Sequence, residues 1–228
     1  MPLGIHQLID ASLVQQSRFD SISHNLANSA TNAFKKEVIS FDQTLSIVAR
    51  SVIDFTVGPI VRTENETDLA LEGQGFFKVR TAEGTQYTRD GAFSLNRDRV
   101  LVTRSGDVVL GKDGPITIQE GNFRVDNIGQ VYADNQMVGT LSIVEFRDPQ
   151  LLSKAGGSNY THSGQNPNIV EAGDPAIKQG YLEKSNVGNT EEMIKMIETF
   201  RAYESVQKAI QSIGEMISKM VNDPGLIW

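Results

Sequence analysis

The chain has 228 residues, 39% of them hydrophobic, a formal net charge of −7 and no cysteine. That length holds one large domain or two small ones, and without a basic run the acidic balance argues against a nucleic-acid partner. The lack of cysteine excludes disulfides, thiolate metal sites and a cysteine nucleophile, and no run of about 18 apolar residues is present to span a membrane.

From about Leu3 to Ala30 apolar residues recur at steps of three and four: Ile5, Leu8, Ile9, Leu13, Phe19, Ile22 and Leu26. This spacing predicts an amphipathic helix. Its polar face is mostly uncharged, with Gln7, Ser12, Gln15, Gln16, Ser21, Asn25 and Asn28, which suits a helix surrounded by other helices. Asn28, Ser29, Thr31 and Asn32 favour caps and turns, so the helix should end near Ala30. Phe34 should then anchor the turn by burying its ring against the second helix or a neighbouring subunit.

Residues 51–67 carry β-branched side chains around Gly58-Pro59 and read as a long hairpin or arm. From Leu69 to Phe146 the period changes to two. Short β-type runs are separated by turn signals such as Asp90-Gly91, Asp113-Gly114 and Asn127-Ile128-Gly129, which predicts an antiparallel β domain. Residues 152–177 are rich in Gly, Ser, Asn and Pro and read as an irregular returning arm.

The longest pattern closes the chain. From Asn189 to Asn222, Met193, Met196, Ile197, Phe200, Tyr203, Val206, Ile210, Ile213, Ile217 and Met220 fall on one side of a helix. Glu191, Glu198, Glu204 and Glu215 each precede a base by three or four residues on the other side. Asn189 is placed to cap it, with Glu192 in the reciprocal position of a capping box. Such a helix, about 50 Å long, needs a partner helix, and the N-terminal one is the candidate. The expected fold is α+β: terminal amphipathic helices paired as a coiled-coil-like hairpin, with a central antiparallel β domain joined by extended arms. The expected parts are 1–36, the first helix and turn; 37–67, the arm; 68–150, the β domain; 151–186, the returning arm; and 187–228, the last helix.

Catalytic chemistry has little footing. His6, His24 and His162 have no metal-ligand spacing, and no carboxylate pair forms an acid–base team. Gly73-Gln74-Gly75 lacks the third glycine and the following helix that a dinucleotide turn needs. No catalytic residue, cofactor, metal or small-molecule substrate is expected.

The most specific signal is the run from Asn25 to Lys36, in which Asn25, Leu26, Ala27, Asn28, Thr31, Phe34 and Lys35 match the N-terminal signature of the flagellar rod and hook axial family. Ala33 stands where that family usually has glycine. Asp68 to Phe77, Tyr87 to Phe93, Gly180 to Val187 and Met196 to Glu204 resemble the family's later motifs, in the same order. Val138 to Phe146 with Asp148-Pro149 looks most like the proximal-rod subunits, and the distal-rod subunit is the alternative.

The resemblance implies a non-enzymatic subunit of a hollow helical drive shaft in the bacterial basal body. It would cross the periplasm, be exported without a cleaved signal peptide, and have copies of itself, other rod subunits and the flagellar export apparatus as partners. Its assembly residues would be Ile5, Leu8, Phe19, Ile22, Leu26, Asn28, Thr31, Phe34, Lys35, Asn186, Met193, Ile197, Phe200, Tyr203, Ile210, Ile213 and Ile217. A coiled-coil adaptor unrelated to flagella, and a β-domain hydrolase with helical dimerisation arms, are the competing readings.

Overall fold

A computed structural model describes residues 2–41, 49–119, 123–162, 169–173 and 175–222, with side chains for all of these except 2–5, 41, 49–50 and 220–222. The chain divides into two compact units, one of residues 1–27, 37–52 and 188–228, the other of residues 28–36 and 53–187.

In the first unit, α1 (Pro2–Ala27) is followed by a ribbon of β1 (Glu37–Phe41) and β2 (Ala49–Ile53), and α2 (Asn189–Asn222) completes it. The two helices run antiparallel: Gln207 Nε2 donates to Ser12 Oγ at 3.3 Å, and at the other end Asn25 Nδ2 donates to Glu192 Oε2 at 3.3 Å. Glu192 does not close the expected capping box. Its other oxygen takes the Lys195 ammonium at 3.0 Å, and its N–H donates to Gly188 O at 2.9 Å.

Among the described residues, the regular elements of the second unit are strands, apart from a short 3-10 turn at Pro149–Leu151. They are β3 (Ile60–Arg62), β4 (Leu69–Leu71), β5 (Phe76–Thr81), β6 (Gly84–Thr88), β7 (Phe93–Leu95), β8 (Leu101–Thr103), β9 (Val108–Val109), β10 (Phe123–Val125), β11 (Gln130–Ala133), β12 (Gln136–Thr140), β13 (Ile143–Phe146), β14 (Leu152–Gly156), β15 (Asn159–His162), β16 (Ile169–Glu171), β17 (Ile177–Gln179) and β18 (Tyr181–Glu183). The largest sheet runs β14-β15-β6-β5-β9-β8-β7, with β13 pairing both β5 and β16. A second sheet is β10-β11-β12. Two distant pairs close the unit, β17 on β4 (Ile177 opposite Leu71) and β18 on β3 (Leu182 opposite Val61).

Strand alternation explains why Phe76 and Phe77 are adjacent. Successive side chains on a strand point to opposite faces. Phe77 and Val79 therefore enter one core with Leu69, Phe93, Leu101 and Leu141. Phe76 enters another with Tyr87, Phe146 and Tyr160. β13 does the same, with Ile143 in the first core and Val144 and Phe146 in the second. The second core is largely aromatic, and Phe76 meets Phe146 edge-on at 5.5 Å between centroids, a favoured geometry.

The expectation of an α+β fold with a coiled-coil-like helical hairpin and extended arms is corrected on two grounds. Eighteen strands against two α-helices make strand the dominant element among the described residues, and the stretches read as arms carry strands, β1 to β3 in the first and β14 to β18 in the returning one. Residues 152–183 contribute β14 to β18; Gly157, Ser158 and Gly180 occupy turns between them and Gly156 lies at a bulge of β14, where composition resembles loop. Nor is the α2 stripe buried in a helical seam. Met193, Ile197 and Phe200 are 55%, 54% and 53% exposed, while Glu192 and Thr199 are buried.

Gly91 shows how tightly the second unit closes. Its N-terminal neighbour Asp90 caps the turn by accepting from Ala92 N–H at 3.1 Å. A Cβ at position 91 would land on the carbonyl oxygen of Leu69, whose own N–H donates to Gly91 O at 3.0 Å. Gly91→Ala is expected to destabilise the chain by at least the ~1–3 kcal/mol typical of overpacking, because a backbone atom cannot step aside. Gly214→Ala, in α2 with nothing near its added methyl, should instead stabilise by about 0.5–1 kcal/mol. Urea unfolding of both variants checks the pair, and equal midpoints would contradict this packing.

Candidate assembly surface

Two features stand out, a pair of helices with apolar side chains left outside and a buried ionic cluster that fixes the segment following the first helix.

On α1, Ser21, Ile22 and Asn25 are buried, whereas Ile9, Leu13 and Phe19 are exposed. On α2 the apolar stripe splits. Met196, Tyr203, Val206, Ile210 and Ile213 are half-buried, while Met193, Ile194, Ile197, Phe200, Met216 and Ile217 are exposed. Leu8 and Leu26 are half-buried; the side chain of Ile5 lies outside the described residues. The exposed residues at 193, 194, 197 and 200 share one face. Apolar residues at helical spacing that a folded chain leaves in solvent mark a surface for another protein.

Asn25 fixes the start of the ribbon. Its Oδ1 accepts from Glu37 N–H at 2.8 Å and its Nδ2 donates to Glu37 O at 2.8 Å, so the carboxamide binds the peptide as a neighbouring strand would. Ser21 Oγ donates to the same carbonyl at 3.1 Å, and His24 Nδ1 lies 3.5 Å from Glu37 Oε1. Two of the uncharged polar residues of α1, Ser21 and Asn25, thus serve the Glu37 peptide. Lys195 lies between Glu191 and Glu192, and chiefly the bond it donates to Glu191 raises its pKa.

In the second unit, residues 28–36 form a compact turn. Thr31 N–H donates to Asn28 O at 3.0 Å, and Ala33 adopts a left-handed backbone (φ 53°) while fully buried, its N–H donating to Glu183 O at 2.9 Å. An alanine there carries a steric cost that glycine would avoid. Phe34 is 2% exposed, with the Lys154 ammonium 4.1 Å above its ring. Its anchoring is therefore within the second unit, where the sequence suggested the second helix or a neighbouring subunit. Asn186 Oδ1 accepts from Lys36 N–H, and its Nδ2 donates to Asp54 O, both at 2.8 Å.

Lys35 reaches further inside. Its Nζ donates to Glu183 Oε1 and to Thr56 O, both at 2.6 Å. Glu183 Oε1 also accepts from Gly58 N–H at 2.8 Å, and Oε2 from Arg89 Nε at 2.8 Å. The remaining nitrogens of Arg89 donate to the carbonyls of Leu71, Gly73 and Gly75 at 2.8–3.1 Å. Gly73-Gln74-Gly75 therefore wraps a guanidinium with its carbonyls, where a nucleotide loop would present N–H groups. Lys35, Glu183 and Arg89 have side chains 0%, 0% and 2% exposed. Burial, together with the nearby Arg89, pulls the Lys35 pKa below its ordinary value against the attraction of Glu183.

Catalytic geometry does not emerge around these groups. His162 stacks on Phe146, and no cluster among the described residues is placed to hold a metal. The buried ionic residues went unrecognised as a group in the sequence; Lys35 was marked only through its motif, and Arg89 and Glu183 as parts of longer motifs.

Residues 178–223 match the family described as "Flagellar basal body rod FlgEFG protein C-terminal", and residues 70–133 match "Flagellar hook protein FlgE/F/G D1 domain". The chain is similar to a flagellar basal-body rod protein FlgF of Caulobacter vibrioides, 35% identical over 237 residues that cover 96% of both chains. It is similar to FlgG of Buchnera aphidicola subsp. Schizaphis graminum, 30% identical over 90% of this chain and 94% of the relative. FlgG of Bacillus subtilis is also 30% identical, over 91% and 93%.

Removing Glu183 leaves two buried cations without their anion, which costs about 3–5 kcal/mol. Glu183→Gln should lose that much in urea unfolding. Lys35→Met should lose less than half of it, because Arg89 and Gly58 N–H still satisfy the carboxylate. The pH dependence has a definite sign: below its lowered folded pKa the Lys35 ammonium carries its full burial cost, and that cost is relieved as pH rises toward 10.5. Wild type should therefore gain stability relative to Lys35→Met in that window; parallel pH profiles would contradict it.

Proposed function

The chain belongs to the flagellar basal-body rod protein family, whose members are structural and not catalytic, and on that premise we propose how its surface serves assembly. It is a structural axial subunit of the rod in the basal body, with other rod and axial proteins as its neighbours. The observation that carries the mechanism is the exposed apolar face of α2 at Met193, Ile197 and Phe200, together with the exposed Ile9, Leu13 and Phe19 of α1. Burying that face against helices of neighbouring subunits gains about 25 cal/mol per Å² of apolar surface. Head-to-tail contacts whose rotation does not close build a filament instead of a ring.

The finer reading places the subunit in the proximal rod, on the strength of the run from Val138 to Phe146, and has it cross the periplasm after export through the flagellar export apparatus without a cleaved signal. In that assembly Ile5, Leu8, Phe19, Ile22, Leu26, Met193, Ile197, Phe200, Tyr203, Ile210, Ile213 and Ile217 belong to the helical contacts. Asn28, Thr31, Phe34, Lys35 and Asn186 act through the second unit, by holding the turn after α1 in place.

Fractionation of intact basal bodies tests the assignment: the chain should co-purify with the rod. Phe200→Asp should abolish incorporation and swimming while leaving the free chain's thermal midpoint nearly unchanged, since the residue is half-exposed there and a lone carboxylate in a buried seam costs several kcal/mol. Glu215→Gln, on the charged face, should be close to silent. Equal incorporation of the two variants would contradict the proposed contact face.

A further inference from the structure

Within the first unit the two outward apolar patches do not lie level with each other. Ser12 faces Gln207 and Asn25 faces Glu192 across the antiparallel pair. The exposed Ile9 and Leu13 of α1 are therefore level with α2 residues near Ser205. The exposed Met193, Ile197 and Phe200 of α2 are level with α1 residues from about Arg18 to Asn25. Opposite each patch the other helix shows a charge to solvent, Glu204 near the level of Leu13 and Asp20 near the level of Phe200. A partner lying over both helices at one level would enclose such a charge along with the patch, at a cost.

The two patches instead match each other. Each has a charge on its flank, Asp10 after Ile9 on α1 and Arg201 after Phe200 on α2, and the two are opposite in sign. Both are exposed, and neither forms an ion pair among the described residues. At about 100° of rotation per residue, Asp10 and Arg201 lie on the same flank of their patches, and like flanks meet when helices pack antiparallel. Charges flanking an apolar seam are the groups that set partner and register.

We propose that α1 of a second copy packs antiparallel on the outer face of α2, shifted by about eight residues, ~12 Å, from the register within one copy. Leu13 of the second copy then faces Ile197, its Ile9 faces Phe200, and its Asp10 pairs with Arg201. His6 comes level with Glu204, and Asp20 with Thr190 in the first turn of α2, where the helix dipole favours an anion. The proposal rests on the reading of the chain as a self-assembling subunit and names the contact one copy makes with the next. Each copy offers its α1 patch on one side and receives on its α2 patch at the other, so the shift repeats and the contact propagates. Two α2 faces packed on each other would form a two-fold contact that stops at a dimer and leaves Ile9 and Leu13 uncovered.

The native chain has no cysteine, so two introduced thiols test the register directly. A chain carrying both Leu13→Cys and Ile197→Cys, oxidised in isolated basal bodies, should link copies into a ladder of multimers. Within one copy the two positions are about eight helical residues apart in level, beyond the roughly 7 Å between Cα atoms that a disulfide can bridge. Charge exchange is the second readout. Asp10→Arg and Arg201→Asp should each lower incorporation about fivefold, the upper range for an exposed pair, and the double exchange should restore it. Absence of the ladder, thiols joined only to a different protein, or a double exchange no better than either single variant would overturn the proposal, while the chain's presence in the basal body leaves the subunit reading standing. A chain absent from basal bodies would overturn both.

Discussion

One carboxylate holds the second unit together. Glu183, at the end of β18, accepts from Lys35, Arg89 and the Gly58 amide, and so joins the segment after α1, the stretch before β3, the loop between β4 and β5 and the end of β6. None of these groups reaches solvent. An ammonium or a guanidinium left alone in such a place is costly, so the arrangement is satisfied with every partner present and penalised with any one missing. The specificity is geometric: Arg89 uses its fork on four acceptors, which an apolar residue of the same volume could not position. The left-handed Ala33, the Phe34 ring and the Asn186 carboxamide then lie along a turn whose course is already set at Lys35.

The two units meet their apolar requirements differently. The second buries Phe76 and Phe77 on opposite faces of one strand in two separate cores, and its large hydrophobic side chains are mostly enclosed. The first keeps its buried positions for polar clamps, Asn25 on the Glu37 peptide and Glu192 between Asn25 and Lys195, and leaves a row of large apolar residues outside. A helix stabilised chiefly by its packing with a face still exposed is suited to further association. Uncharged polar residues on α1 allow such a face to be enclosed without stranding a charge.

Much of this was legible in the sequence because it is local. The bounds of α2 follow from its 3.6-residue period, although the expected capping box does not close; α1 ends three residues before the expected position, and most strands from Leu69 to Phe146 follow from alternation. The return of the chain was not legible. β17 and β18 pair with strands more than one hundred residues earlier, and short Gly- and Ser-bearing strands carry no periodicity long enough to separate them from loop. The split of the α2 stripe was hidden for a related reason: spacing gives a face, but which part of it the partner helix covers depends on polar anchors such as Asn25. The charge cluster was hidden because Lys, Arg and Glu read as surface residues until the fold brings three of them together. In the turn after α1, Ala33 occupies the left-handed conformation that its side chain argues against, since the surrounding bonds fix the backbone there.

The central claim is that the helices' outer apolar face is open in the free chain and closed in the assembled rod. A chain without cysteine allows it to be tested with a single introduced thiol. Met193→Cys should react readily with a maleimide in the free protein and be shielded in isolated basal bodies, while Ser105→Cys, in a turn of the second unit, serves as the solvent-facing reference in the free chain. Equal labelling of Met193→Cys before and after assembly would contradict the account.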